Sequence, residues 1–462
     1  MGIKIGYLPL YIKLYDDSDP AYRDPMVEHM NMLVQMLRSE DLDVVVADVC
    51  RLKEEFDAAA RMFNEAGVAA VVTQHLAYSP SLEAIEALLS IRAPIIVLDT
   101  TPDYELISTA AYKNGISANH GIHGVQDMCN LLRQRGRQYQ ICAGHALHGD
   151  VIARTAGLCR AAAVKRAFET ARVGAVGGAF EGMGDFFVTP ERLRASIGAE
   201  VLYMDGDAVK KHLAAVTPEE IDREIEGDKR RFTFEIDDEA SYRDAVLSGL
   251  AVRKWAEENR LTACTVNFLN LDRHGLPKMP FAECSKMLAR GLGYAGEGDV
   301  LTAAFVGALR GVYPNTTFTE IFCPDWKEDV ILLNHMGEVN LNLAQWKPVL
   351  RSVPFNYNAC GTTAAAYTCL RPGKAVFANL APMGEGYTLT VTPVEMLDVG
   401  LEFGAYRHSI QGWMKPVKPL PDFLKEFSMA GGTHHSVLVY DADWQEIAAF
   451  GGMMGFEVVR II

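Results

Sequence analysis

Two glycine-rich stretches far apart in the chain carry acidic and imidazole side chains. Residues 296–299 read Gly-Glu-Gly-Asp, and residues 431–435 read Gly-Gly-Thr-His-His. Between them lie Glu320, in Phe-Thr-Glu-Ile, and His335, in Leu-Asn-His-Met-Gly-Glu. Two carboxylates and two imidazoles can bind a divalent ion such as Mn²⁺, Fe²⁺ or Co²⁺ and leave positions open for substrate oxygens. If these side chains converge, the sequence predicts a metal-containing reaction centre.

Each residue also has a plainer interpretation when it is taken alone. Glu297 precedes an apolar helical stretch, where an acid can cap the helix and interact with its dipole. Glu320 alone resembles an exposed strand residue, and His335 alone resembles a hydrogen-bonded core histidine. Successive side chains of an extended strand point to opposite faces. The pair His434 and His435 therefore favours one metal ligand and one histidine that faces substrate.

The four motifs together resemble the L-arabinose isomerase family, part of the L-fucose/L-arabinose isomerase group. The similar stretches keep the family's order and approximate separation, and they are residues 291–304, 317–320, 335–339 and 430–435. Weaker similarity extends to residues 119–124, 143–145, 180–185 and 265–268. The first hundred residues match the family poorly.

The resemblance implies a divalent metal site, with Mn²⁺ as the first candidate and Co²⁺, Fe²⁺ or Mg²⁺ as alternatives. Its implied ligands are Glu297, Glu320, His335 and His435, with His434 and Met336 beside the substrate. The implied reaction is aldose–ketose isomerisation of a pentose or hexose. An ion that binds two substrate oxygens polarises the carbonyl, while Glu297 and Glu320 move a proton between C1 and C2 through an enediol. A hydride shift would use the same metal, and the sequence does not say which glutamate is the base.

Further substrate contacts are predicted in three loops. His120 and His123 precede a helix, and in the resembled family this loop reaches the active site of a neighbouring subunit. A helix cap by Asn119 is the competing interpretation. Met183 lies in the glycine-rich run 174–185, interpreted as a loop that lines the sugar pocket, and the resemblance adds Phe268. The expected assembly is a homo-oligomer, trimeric or hexameric, with shared active sites.

Two segments depart from the family pattern. The family's Gly-Ser-Gln-His-Leu-Tyr type of loop after the first strand is replaced by Gly6–Tyr11, and residues 354–360 also differ. L-arabinose is therefore not expected to be the best substrate. A metal-dependent epimerase of a sugar or sugar acid, and a non-catalytic sugar-binding protein, are the alternative functions.

Apolar runs that alternate with amphipathic stretches predict an α/β fold with parallel sheets. Strands are predicted at 3–8, 44–47, 69–73, 94–98, 139–143, 172–176, 201–204 and 262–268. After residue 312, alternating Thr, Val and Gly patterns predict antiparallel strands, in a small barrel. The expected domains are two doubly wound Rossmann-like or flavodoxin-like domains, 1–145 and 146–312, and a β-rich domain, 313–462, with most metal ligands.

Composition excludes several classes of partner. The net charge of −15 argues against nucleic-acid binding, which needs clustered basic residues. No apolar run approaches the length of a membrane span. The nine cysteines include no Cys-x-x-Cys pair and are expected to be reduced. Without a predicted export signal, a cytoplasmic enzyme acting on a small-molecule sugar is expected.

Overall fold

The structure is a computed structural model that describes residues 2–107, 115–398 and 412–462. The chain forms two compact units, Met1–Ala163 and Val164–Ile462. The expected division into three domains remains a prediction. Within the described residues, no helix is both long and apolar enough to cross a membrane.

The first unit is built on a five-stranded parallel sheet with the strand order β2-β1-β3-β4-β5. The strands are β1 (Ile3–Leu10), β2 (Leu42–Val46), β3 (Val71–His75), β4 (Ile95–Asp99) and β5 (Tyr139–Ala143). The helices are α1 (Lys13–Ser18), α2 (Asp24–Arg38), α3 (Lys53–Ala66), α4 (Ser81–Ser90), α5 (Gly115–Ala118), α6 (Gly121–Gln134) and α7 (Val151–Glu169), the last of which continues into the second unit.

Continuous apolar runs form this sheet because parallel strands are covered on both faces. Val71, Ile95 and Val97 are fully buried against Phe56 and Phe63 of α3. The predicted strands are confirmed, with ends that differ by up to two residues. The parallel α/β character of this unit is therefore confirmed, whereas its Rossmann-like details remain a prediction.

The second unit contains another parallel sheet, with the order β10-β9-β6-β7. Its strands are β6 (Arg172–Val176), β7 (Glu200–Tyr203), β9 (Ala263–Val266) and β10 (Gly293–Gly296). Its helices are α8 (Pro190–Ser196), α9 (Gly206–Ala214), α10 (Pro218–Arg231), α11 (Glu239–Glu258), α12 (Leu271–His274), α13 (Phe281–Arg290) and α14 (Val300–Arg310). A separate three-stranded sheet joins β8 (Thr233–Glu235), β13 (Val349–Val353) and β14 (Thr363–Tyr367).

The remaining strands confirm the predicted barrel. They are β11 (Thr316–Asp325), β12 (Val330–Asn334), β15 (Gly373–Met383), β16 (Gly386–Met396), β17 (Gly412–Pro416) and β18 (His435–Tyr440). Six antiparallel pairings close the ring β15-β18-β11-β12-β17-β16 back onto β15. β19 (Glu457–Arg460) adds to β16 in parallel, and the helices of this region are α15 (Leu420–Met429) and α16 (Trp444–Met454).

The barrel register places the predicted residues of this region close together. Glu320 of β11 lies opposite His435 of β18 on one side and Asn334 of β12 on the other. His335 follows Asn334 directly, so it leaves the barrel at the same level. The pairing of β11 with β12 and β18 thus brings Glu320, His335 and His435 to one end of neighbouring strands.

Candidate functional site

Glu297 occupies a strained turn at the carboxyl end of β10. Its φ is +62°, which is uncommon for any residue except glycine and costs on the order of 1–3 kcal/mol. Its backbone N–H donates to the carbonyl of Val266, 3.0 Å away at the end of β9. The N-cap of α14 is Asp299, which accepts from the Thr302 N–H at 2.9 Å. Because Asp299 caps α14, the Glu297 side chain does not serve as the helix cap. It faces His435 of the barrel instead.

The His335 ring lies so close to this turn that position 296 has no room for a side chain. A Cβ placed on Gly296 would lie 2.6 Å from His335 Cε1, so only glycine fits at that position. A Cβ on Gly298, whose φ is +80°, would lie 2.2 Å from the Gly178 carbonyl oxygen. The two glycines that flank Glu297 therefore let the turn fit between His335 and the glycine-rich loop after β6.

Both histidines of the tandem face the same carboxylates. His435 Nε2 lies 3.4 Å from Glu297 Oε2 and 3.9 Å from Glu320 Oε1. His434 Nε2 lies 3.6 Å from each of these oxygens. His434 precedes β18, which begins at His435, so strand alternation does not separate the two rings. The expected division into one ligand and one substrate-facing histidine therefore rests on other grounds and remains a prediction.

The four predicted ligands and His434 form two overlapping groups. In each group, one ligand atom per residue lies within 4.8 Å of the others. The groups are Glu297, His434 and His435, and Glu320, His335 and His435. The structure thus brings together all five acidic and imidazole side chains that the sequence singles out in the second unit.

A further carboxylate holds the Nδ1 atom of each histidine. The paired atoms are His335 Nδ1 and Glu338 Oε2 at 2.6 Å, His435 Nδ1 and Asp299 Oδ2 at 2.9 Å, and His434 Nδ1 and Asp185 Oδ2 at 2.6 Å. Such contacts fix the ring orientation and leave Nε2 to bind an ion or substrate. The sequence by itself predicts no role for these carboxylates, although the i, i+3 spacing of His335 and Glu338 is a signal for one pair.

Neighbouring side chains fix this arrangement in turn. The Tyr294 hydroxyl donates to Glu338 Oε1 at 2.8 Å, and both side chains are buried. The Phe186 ring stacks on His435, with centroids 4.7 Å apart and planes 11° apart. Asn379 of β15 donates to the His435 carbonyl at 2.7 Å and accepts from the Thr433 N–H at 3.1 Å. The His435 ring and backbone are therefore held independently.

The cluster shifts the pKa of its members in opposite directions. Burial by itself lowers the pKa of His335, but the Glu338 carboxylate outweighs it and raises the pKa to about 9. Burial by itself lowers the pKa of His434, but the nearby carboxylates of Glu297 and Asp185 outweigh it and raise the pKa to about 9. Burial raises the pKa of Glu297, but His434 and His435 lower it to about 2. Without an ion, the carboxylates retain protons on the imidazoles.

The residues present fit a divalent cation. Glu297 Oε2 and His435 Nε2 are buried and make no hydrogen bond within the described part of the chain. Two ligands at about 2.0–2.2 Å from one ion, set at a right angle, lie roughly 3 Å apart. The 3.4 Å separation of these atoms is close to that spacing. A mixed set of carboxylate and imidazole donors suits Mn²⁺, Fe²⁺ or Co²⁺.

The other predicted contacts in the second unit lie near this cluster in sequence or space. Met336 is half-buried and follows His335, and Met183 is half-buried in the loop that carries Asp185. Phe268 is buried and lies two residues beyond the end of β9.

His120 and His123 belong to the first unit. Their Nδ1 atoms lie 3.4 Å apart, and the Tyr15 hydroxyl lies 3.1 Å from His120 Nε2. The N-cap of α6 is His120, while Asn119 hydrogen-bonds with Asp103. The competing interpretation of Asn119 as the helix cap is therefore wrong.

Comparison with known proteins finds one family over much of the second unit. A sequence profile of the L-arabinose isomerase central domain matches residues 191–313, and one of the L-arabinose isomerase C-terminal domain matches residues 315–457. The L-arabinose isomerase of Clostridium beijerinckii is 26% identical over 412 residues, which cover 86% of this chain and 82% of that protein. The enzyme of the same name from Shouchella clausii is 24% identical, with 99% and 93% covered.

One solved structure that matches is a periplasmic solute-binding protein of Actinobacillus succinogenes with bound D-allose. It covers 67% of this chain and 91% of its own, at 12% identity and a TM-score of 0.18. A likeness this low supports neither a shared fold nor the sugar-binding alternative.

The raised pKa of His335 predicts a pH-dependent stability for the metal-free protein. Protonated His335 stabilises the folded state below its unfolded pKa of about 6.5, and this contribution disappears as the pH rises through about 9. Between these values, the free energy of unfolding should fall by about 1–3 kcal/mol. Urea denaturation in the presence of a chelator measures it.

Glu338→Gln is the matched variant, because it removes the carboxylate that raises the His335 pKa. Its unfolding free energy should fall less over the same pH range. An identical pH dependence in the two proteins would contradict this account of the His335–Glu338 contact.

Proposed function

Because the chain belongs to the L-arabinose isomerase family, whose members are aldose–ketose isomerases, we propose that it is a metal-dependent isomerase of a pentose or hexose. The observation that carries the metal dependence is the convergence of Glu297, Glu320, His335 and His435 from four separate segments. Strained backbone at Glu297 supports it, since such strain is concentrated at functional sites.

The proposed ligands of the ion are Glu297, Glu320, His335 and His435, with Mn²⁺ as the first candidate and Co²⁺, Fe²⁺ or Mg²⁺ as alternatives. A bound divalent ion would supply polarisation of the substrate carbonyl. Asp299 and Glu338 hold two of the ligand imidazoles through Nδ1, so that each Nε2 stays directed at the cluster. These two carboxylates are proposed as positioning residues.

The proton transfer is assigned to Glu297 and Glu320. Moving hydrogen between C1 and C2 through an enediol requires one group that takes a proton from carbon and one that returns a proton. The lowered pKa of Glu297, about 2, keeps it ionised at neutral pH, as a metal ligand must be.

His434 is proposed to contact the substrate. Its side chain is 35% exposed, whereas that of His435 is fully buried, so a bound sugar could reach His434 but not His435. Asp185 accepts both the His434 backbone N–H and a contact from the ring Nδ1. Met336, Met183 and Phe268 are proposed to line the same pocket.

His120 and His123 are proposed to contact substrate bound to another subunit, in a homo-oligomer with trimeric or hexameric symmetry. Both histidines lie at the start of α6 in the first unit, and α6 contacts the end of β3 at His75.

The function is tested with metal-loaded protein and a panel of aldoses, ketoses and sugar acids in D₂O, followed by NMR. An isomerase converts aldose to ketose with deuterium entering at C1 or C2. An epimerase would change configuration at one carbon without changing the carbonyl position. The same cluster could support either reaction, and family membership favours the isomerase.

Replacing either glutamate should abolish most turnover. Glu297→Gln and Glu320→Gln keep the side-chain size but remove a ligand charge and a proton carrier, so kcat should fall about 10²–10⁴-fold. Glu395→Gln, at an exposed position of β16, is the matched control and should retain activity. Full activity of Glu297→Gln in the D₂O assay, or no effect of a chelator on the unmodified protein, would contradict the proposal.

The two neighbouring histidines should separate substrate binding from metal binding. His435→Ala should lower the bound metal measured by elemental analysis, because it removes a buried ligand. His434→Ala should keep its metal and instead raise KM or lower kcat. Equal metal loss in both variants would show that the tandem is assigned incorrectly.

A further inference from the structure

His434 and Asp185 form an imidazole–carboxylate pair beside the proposed metal ligands. Asp185 Oδ2 accepts the His434 backbone N–H at 3.0 Å and lies 2.6 Å from the ring Nδ1. Because one oxygen contacts both the backbone and the ring, it fixes the direction in which the ring points. The opposite ring atom, Nε2, lies 3.6 Å from Glu297 Oε2 and 3.6 Å from Glu320 Oε1. A sugar oxygen bound between these two carboxylates would be within reach of His434 Nε2.

This pair differs from the other two imidazole–carboxylate pairs in its access to solvent. The side chains of His434 and Asp185 are 35% and 39% exposed. Those of the other two pairs are at most 3% exposed, and these pairs are His335 with Glu338 and His435 with Asp299. A group that exchanges protons with a substrate must be accessible to it, whereas a metal ligand can be fully buried. Of the three pairs, that of His434 and Asp185 meets this requirement.

The backbone next to Asp185 is anchored, so the exposed pair is still held in place. The next residue, Phe186, is buried, and its ring stacks on His435 with centroids 4.7 Å apart. The Phe186 centroid also lies 5.4 Å from that of His434. Val188, two residues further on, is buried as well. A proton-transfer group held in this way needs little reorganisation when a substrate binds.

The proposed isomerisation leaves one chemical step without a group to perform it. An aldose in water is almost entirely a cyclic hemiacetal, but proton transfer between C1 and C2 requires the open-chain carbonyl. Opening the ring moves a proton from the C1 hydroxyl to the ring oxygen. Glu297 and Glu320 are assigned to the hydrogen bound to carbon. To be fast, ring opening needs a further acid–base group near C1.

We propose that the His434–Asp185 pair opens the ring of a bound cyclic sugar and thereby provides a second activity, the interconversion of sugar anomers. His434 Nε2 accepts the proton of the C1 hydroxyl as the C1 carbonyl forms. The bond between C1 and the ring oxygen breaks with its electron pair on that oxygen, which then takes the proton from Nε2. One nitrogen can serve both oxygens because both are attached to C1. The step oxidises and reduces nothing.

Asp185 accepts the Nδ1–H of His434 throughout this exchange. An ionised carboxylate can only accept, so it keeps the proton of the neutral ring on Nδ1 and leaves Nε2 able to take a proton. It also stabilises the imidazolium that forms. Closure of the open chain on the other face of the carbonyl gives the other anomer. The inference rests on the proposed sugar site, and its ligand class is a reducing sugar in the cyclic hemiacetal form.

Anomer exchange is the first measurement, because it does not depend on isomerisation. NMR follows exchange between the C1 proton signals of the two anomers for each aldose of the panel, with protein loaded with diamagnetic Mg²⁺. The unmodified protein should accelerate this exchange, and His434→Ala and Asp185→Asn should each lower the acceleration about 10²-fold. Glu191→Ala, the matched control, removes an exposed carboxylate of α8 and should retain it.

A sugar that cannot form a ring separates ring opening from simple contact with the substrate. The 4,5-di-O-methyl ether of an aldopentose stays open, because both hydroxyls that could close on C1 are blocked. His434→Ala and Asp185→Asn should lower kcat/KM for the free pentose about tenfold more, or beyond, than for its ether. Elemental analysis should find the bound metal unchanged in both variants.

The outcomes distinguish this proposal from the proposed isomerase function. Equal losses of kcat/KM on the pentose and its ether would mean that His434 only contacts the substrate, and would overturn the proposal. So would the absence of accelerated anomer exchange for a sugar that the unmodified protein isomerises. Accelerated anomer exchange without isomerisation of any sugar would instead refute the isomerase and support the ring-opening activity.

Discussion

The site in the second unit depends on one electrostatic constraint. The Glu297 carboxylate is buried among three imidazoles, and the Nδ1 atom of each imidazole already contacts another carboxylate. Glu297 Oε2 and His435 Nε2 are buried without hydrogen bonds in the described chain. A buried ionised group is costly unless a charge or a metal compensates it. In the metal-free protein, protons on His335 and His434 provide that charge, as their raised pKa values show. A divalent cation would replace those protons, so metal binding and proton release are expected to be linked.

Much of the surrounding architecture maintains this constraint. The pairing of β11 with β18 sets Glu320 opposite His435, and the end of β10 brings Glu297 from the parallel sheet toward them. Strain at Glu297 and the absence of a side chain at Gly296 are local costs of that approach. Asp185, Asp299 and Glu338 then direct the three imidazoles. Metal and substrate would thus meet where the two kinds of sheet end.

The sequence predicts the elements well because their signals are local. Strands such as Tyr139–Ala143 and Arg172–Val176 are short apolar runs whose limits coincide with the prediction. Resemblance to a family predicts the convergence of the ligands, since spacing alone does not say which strands become neighbours. The structure brings all of them together. Their roles as ligands remain a proposal.

Other features could not be predicted because they depend on long-range contacts. Asp185 is 249 residues from His434, and Asn379 is 56 residues from His435, so no sequence periodicity connects either pair. Strand alternation does not separate the two rings of the histidine tandem, because β18 begins at His435 and not at His434. The proposed division of roles within the tandem rests on the difference in exposure between the two rings.

The central claim is that Glu297, Glu320, His335 and His435 bind one divalent ion. Crystals soaked in Mn²⁺ and measured at the manganese absorption edge test it most directly. The account predicts an anomalous peak about 2.0–2.3 Å from a carboxylate oxygen of each glutamate and from Nε2 of both histidines. A peak at another location, or none at these four residues at saturating Mn²⁺, would contradict it.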